Sequence, residues 1–102
     1  MRSQQAIVID NRRAGRFELW RDGVVASHSA YRVRAGRLVF VRTRTATGFE
    51  RLGLASCVVR AALDDVRRRG LRVSPLCPFV ADFIRDHPDY ADLVIDSEPP
   101  GP

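Results

Sequence analysis

The chain reads as an α+β domain, a mostly antiparallel twisted sheet with two main helices in the order β-β-β-β-α-β-α. Three observations carry this. Up to Thr45 the sequence is a set of alternating apolar and polar runs, punctuated at Asp22-Gly23 and Ala35-Gly36. From Leu52 the apolar residues change to a helical step, which ends at Gly70. A short apolar run and a second helical stripe follow. Strands first and helices later is the pattern of a sheet with helices packed on it, not of alternating βαβ units.

Each element has a local reason. AIVID (6–10) is a short β-branched run and predicts a strand. GRFELWRDG (15–23) sets Phe17 and Leu19 against Glu18 and Trp20, then turns at Asp-Gly, a strong hairpin signal. VVASHSAYRVR (24–34) is the partner strand, and Ala35-Gly36 breaks it. RLVFVRTRT (37–45) is apolar at its start and alternates arginine with threonine at its end. From Leu52, the residues Leu52, Ala55, Val59, Ala62 and Val66 step by three and four, with Val58 and Leu63 widening the stripe. Asp64 with Arg68 and Asp65 with Arg69 stand at i,i+4 on the wet side. Gly70 is a natural helix stop. LRVSP (71–75) predicts a strand parallel to its predecessor across the crossover helix. CPFVADFIRDH (77–87) predicts a second helix with Phe79, Val80, Phe83 and Ile84 on one face, ended by Pro88. The polar, proline-rich end, about 95–102, is expected to fray.

One hundred and two residues, 45% hydrophobic and 28% charged, suit one domain over 1–102 with a modest core. The chain has no apolar run long enough to cross a membrane and no signal-peptide pattern, so the expected location is cytoplasmic. Cys57 and Cys77 are too few for a disulfide framework or a metal site. The net charge is +5, and all 17 basic residues are arginine. That balance points to acidic partners. A nucleic-acid role lacks both interleaved aromatics and a motif, and arginines on a solvated surface explain most of the count.

Two places can carry chemistry. At ATGFERLGLAS (46–56), between strand and helix, Gly53 and Ala55 are small enough for an anion to reach the open N–H groups of a helix start. Glycine at a helix start is also common without any ligand. At PLCPF (75–79), Pro78 fits the first helical position and makes Cys77 the N-cap. A thiol there lies in the positive field of the helix terminus, where reactive cysteines are found; a buried cysteine acting as a small hydrophobe is the plainer reading. Cys57, on the edge of the helical stripe, has only that plainer reading. His87 reads as a cap on the second helix, and His28 lies mid-strand with its facing undecided.

Taken together, the segments GRFELWRDGVVASHSAYRV, RLVFVRT and GLASCVVRAALDDVRRRGLRVSPLCPFVADFIRDHPDY resemble the small single-domain branch of the GNAT acyl-CoA N-acyltransferases, from about Gln5 to Val94. The P-x-C-P-F-V block followed by H-P-D-Y is the most specific part. The resemblance implies a GNAT-like sheet with a splayed central pair of strands and acetyl-CoA (CoA) entering the opening. It places the pyrophosphate on the start of the main helix, with Thr45, Arg51, Gly53, Leu54, Ala55 and Ser56 as the cofactor-binding residues. It also puts Cys77 beside the thioester as the catalytic residue, either nucleophile or neighbour, and implies no metal.

Two departures stand out. The superfamily loop Q/R-x-x-G-x-G/A falls on Glu50 to Ala55, with Glu50 where Gln or Arg is usual and Arg51 where the branch usually has glycine. The branch's H-T-E-V segment falls on Arg42-Thr43-Arg44-Thr45, so arginines replace the histidine and glutamate. Arginine stays protonated and cannot be a general base, although Arg42 could support a Cys77 thiolate. The expected function is acetyl-CoA-dependent N-acetyl transfer to a small-molecule or protein amine. The alternative is a non-catalytic module that holds CoA or another phosphorylated ligand.

Overall fold

The computed structural model describes residues 6–95; the expected frayed end lies almost wholly outside them. Five strands form one sheet in the order β1-β2-β3-β4-β5: β1 Ile7–Asn11, β2 Arg16–Arg21, β3 Val24–Arg34, β4 Arg37–Thr45 and β5 Arg72–Pro75. The first four are antiparallel neighbours, and β5 joins β4 in parallel through the helix α1, Leu54–Arg68. A second helix α2, Pro78–Asp86, and a 3₁₀ segment, Pro88–Leu93, complete the described residues.

The turns follow from backbone chemistry. Asp22 and Gly23 both take positive φ, as do Ala35 and Gly36, which is what a two-residue hairpin of right-handed twist requires. Helix α1 ends in a Schellman motif: the amide of Gly70 donates to Arg67 O and that of Leu71 to Val66 O. Its start is two residues later than the apolar pattern suggests. Leu52 is exposed, and Gly53 in the left-handed region is the N-cap, so Leu54 takes the buried place.

Both helices share one core on one face of the sheet. Phe17, Leu19, Tyr31, Leu38 and Phe40 meet Val58, Val59, Leu63 and Val66 of α1 and Val80, Phe83 and Ile84 of α2. Phe79 is exposed, not part of that stripe. Asp65 pairs with both Arg68 and Arg69, whereas Asp64 accepts from the Tyr90 hydroxyl at 2.7 Å. That bond, with the Arg67 fork on Asp92 and Asp89 O, ties the 3₁₀ segment to α1. His87 caps α2 as expected, its Nδ1 donating to Phe83 O at 2.8 Å while its ring stacks on Phe83.

Among the described residues the other face of the sheet carries no helix. Glu18 points to it yet is only 2% exposed, because Arg16, Asn11 and Trp20 donate hydrogen bonds to its carboxylate. Simple strand alternation reads Glu18 as solvated; cross-strand neighbours cover it instead. Burial works to raise its pKa, but the three hydrogen bonds and the Arg16 charge outweigh it and hold the carboxyl below its ordinary value.

Two bulges shape the sheet. Leu19 faces Ser27 but Trp20 faces Val25, so Ala26 is an extra residue on β3. Ala30 faces Arg42 but Tyr31 faces Phe40, so Val41 is an extra residue on β4. The parallel ladder of β4 with β5 ends at Phe40 and Pro75, and beyond it the two strands part.

Candidate functional site

The fork where β4 leaves β5 is closed at its base by main-chain bonding, the Cys77 amide donating to Phe40 O at 2.8 Å. Cys77 is the N-cap of α2 with extended backbone and a side chain that caps nothing. The residue is 3% exposed, and its sulfur lies 3.4 Å from Thr43 Oγ1, across the fork. Thr43 Oγ1 in turn lies 2.9 Å from Ser29 Oγ. One pair further along the strands, the Ser27 hydroxyl donates to Arg44 O at 2.9 Å, so the 3.1 Å contact with Thr45 is donated by Thr45. A track of four buried or half-buried hydroxyls therefore runs along the helix side of β3 and β4 and ends at Cys77.

The bulge at Val41 sets this arrangement. It shifts the alternation so that Thr43 and Thr45 turn to the helix side with Ser29 and Ser27, while Arg42 and Arg44 turn to the bare side opposite Ala30 and His28. This corrects the expectation that Arg42 supports the Cys77 thiol: adjacent residues of a strand point to opposite faces. Ser27, Ser29 and Thr43 are the residues that sequence reasoning missed. The alternation of arginine with threonine in RTRT was the available signal, read for its charges alone.

The helix-start segment also takes definite form. Gly53 has φ 75°, and its missing Cβ would meet nothing within 4 Å, so the space beside it is open. The first turn of α1 holds no acidic residue and no side chain caps it. The first turn of a helix leaves its amides without intrahelical acceptors, and here these belong to Leu54, Ala55 and Ser56. The side chain of Leu54 is buried in the core and that of Ser56 is exposed. The Thr45 hydroxyl is committed to Ser27, which leaves it facing the sheet. Glu50 folds back to accept from the Gly48 amide at 2.8 Å, occupying a donor of the same loop. Arg51 is exposed at φ 66°, a left-handed conformation that costs a side-chain-bearing residue about 1 kcal/mol.

Of the cysteines, Cys57 is exposed, against its reading as a packed small hydrophobe, and Cys77 is buried, as its plainer reading has it. The helical stripe runs past Cys57 because Val58 and Val59 take the core side. His28 lies on the bare face between Glu18 and Arg44. Burial lowers its pKa first, Arg16 adds to the shift, and Glu18 opposes it. A cavity of about 340 Å³ opens there between His28, Arg44, Thr45 and Thr47. Among the described residues no group of three or more histidines, cysteines or carboxylates is placed to hold a metal, and no helix is long and apolar enough to cross a membrane.

This fold has known counterparts. The model of the GCN5-related N-acetyl-transferase family matches residues 16–93. No curated protein matches the chain. The solution structure of a GCN5-like candidate N-acetyltransferase from Staphylococcus aureus superposes with a TM-score of 0.66 at 15% identity, over 96% of this chain and 94% of that one. At that identity the likeness is one of fold, a mixed α+β sheet with its helices. The family match spans strands β2 to β5, both helices and the fork, and the chain belongs to the GCN5-related N-acetyltransferase family.

Proposed function

We propose that the protein transfers an acetyl group from acetyl-CoA to an amine, with the fork at Thr43 and Cys77 as the reacting centre. The carrying observation is the Thr43–Cys77 contact across the opening between β4 and the β5–α2 connection. Family membership supplies the reaction class.

The residues present fit an acyl-CoA. The start of α1 offers open amides, no first-turn acid, no side-chain cap and clear space beside Gly53. Amides there suit a pyrophosphate, and Arg51 adds an exposed positive charge. In this reading Gly53, Leu54, Ala55 and Ser56 hold the pyrophosphate through their backbones. Thr45 acts only by orienting Ser27 and the strand end.

When bound, acetyl-CoA supplies an acetyl group activated as a thioester. The work of the chain is to orient and polarise it. Thr43 can accept from the Cys77 thiol or donate to a thiolate, so the pair remains hydrogen-bonded in either state. Ser29 fixes the Thr43 rotor from behind. No carboxylate or imidazole of the described residues bonds to Thr43 or Cys77, and Arg42 and Arg44 point away from them. The amine is therefore best deprotonated before it arrives, and the rate is expected to rise with pH across the amine's own titration.

Radiolabelled acetyl-CoA offered with a panel of amines tests the reading, using the parent protein and Cys77→Ala. Transfer by the parent, reduced at least tenfold in the variant, is expected. Tight CoA binding with no transfer to any amine would leave a CoA-binding module instead.

A further inference from the structure

On the face of the sheet without helices, a groove of about 320 Å³ lies over β3, β4 and the end of β5. Its polar side is made by Arg32, Arg34 and Arg37, and its apolar side by Val39, Val41 and Leu76. We propose that this groove is a binding site for a small organic anion with an apolar body, of the aryl phosphate or aryl carboxylate kind. The inference stands apart from acetyl transfer, because it needs neither acetyl-CoA nor Cys77.

The register brings the groove together. Arg32 stands opposite Val39 and Arg34 opposite Arg37, so all four side chains project on the bare face. Val39 stands opposite Ser74 of β5, which closes the far side. Ser74 spends its hydroxyl proton on Ile95 O, which leaves the guanidinium groups of Arg32 and Arg34 as the groove's donors.

Charge is the second observation. None of the described lining residues is a carboxylate. Arg12, Arg16, Arg67, Arg68, Arg69 and Arg85 each pair with an acid. Among the described residues the side chains of Arg32 and Arg34 make no ion pair or hydrogen bond. Converging guanidinium forks match carboxylate and phosphate oxygens, which they bind in pairs of hydrogen bonds.

The apolar side decides the kind of anion. Val39 is buried beneath the groove, Val41 is half-buried, and Leu76 is 71% exposed at its rim. The volume lies near the small end of the usual range for ligand sites, about 300–1,000 Å³, enough for one ring and its acid group. A single-stranded nucleic acid would want stacking aromatics along a charged track, and none of the described residues lining this groove is aromatic.

The test is an NMR titration of the ¹⁵N-labelled protein with phenyl phosphate, alongside inorganic phosphate, benzylamine and a short oligothymidylate. Phenyl phosphate should move the amides of Arg32 to Arg34, Val39 to Val41 and Ser74 along one saturating curve. Inorganic phosphate should bind more weakly and benzylamine not at all. Arg32→Gln and Arg34→Gln should each weaken phenyl phosphate by about tenfold or more, as expected when a charge-assisted pair is lost, with circular dichroism unchanged. Non-saturating shifts spread over every arginine, equal binding by both variants, or an oligothymidylate that binds across the whole face more tightly than phenyl phosphate would each overturn the proposal.

Discussion

Thr43 Oγ1 sits 3.4 Å from Cys77 Sγ, although the two residues belong to different arms of the fork. The contact exists because the extra residue at Val41 turns Thr43 toward the helices, and because Cys77 is pinned to Phe40 through its backbone. Thr43→Val keeps the shape and removes the hydroxyl. It should cost about 1–2 kcal/mol of stability, since Ser29 loses a partner in a buried setting. It should also lower acetyl transfer by roughly tenfold, the effect of misplacing one orienting group. A urea melt and a steady-state rate check both halves. An unchanged rate at reduced stability would leave the hydroxyl a structural role only.

Thiol labelling should follow accessibility. In the parent protein Cys57 should react with iodoacetamide well before Cys77, since the first is exposed and the second buried. In Cys57→Ser, slow labelling of Cys77 should remain and should stop when acetyl-CoA is added. Peptide mass spectrometry reads both. Protection of Cys57 but not Cys77 would move the thioester to the helix face.

Glu50 holds a loop amide that an incoming phosphate could use. Replacing it by glutamine removes a negative charge whose effect on a phosphate about 4 Å away is about 1 kcal/mol in water. CoA affinity measured by calorimetry should rise roughly threefold to tenfold. Equal or lower affinity would mean that the pyrophosphate lies elsewhere.

Acid should destabilise the fold in two stages. His28 has a folded pKa below its ordinary 6.5, so the unfolded chain binds its proton more readily. Its contribution is complete above pH 6.5 and is lost as pH falls from there through the lowered value. Glu18 is also lowered, from 4.5, so its contribution is present above pH 4.5 and is lost below, as pH falls through its folded value. Urea melts across pH should show the upper limb vanish in His28→Gln and the lower limb flatten in Glu18→Gln. Identical profiles for parent and variants would remove both groups from the acid transition.

The sheet and its hairpins were legible because the turn chemistry is local. Asp22-Gly23 states its own geometry, and the Schellman end at Gly70 is equally local. The start of α1 was misplaced because Leu52 is in phase with the helix although Gly53 has not yet let it begin. The interior of the site was not legible. Whether Thr43 faces Cys77 or Arg42 does depends on one bulged residue, and nothing in the local pattern announces Val41 as that residue. The cover over Glu18 was not legible for a similar reason: it comes from Asn11, Arg16 and Trp20, which meet it only through the strand register and the pleat. The 3₁₀ segment after Pro88 went unread because its anchors, Asp64 and Arg67, lie more than twenty positions earlier.

In the proposed function acetyl-CoA spans from the start of α1 to the fork. An NMR titration of the ¹⁵N-labelled parent with acetyl-CoA tests this most directly. The amides of Gly53, Leu54, Ala55 and Ser56 should shift together with those of Thr43 and Cys77, on one curve with one dissociation constant. No shift in either group, or saturating shifts confined to other parts of the sheet, would contradict the account.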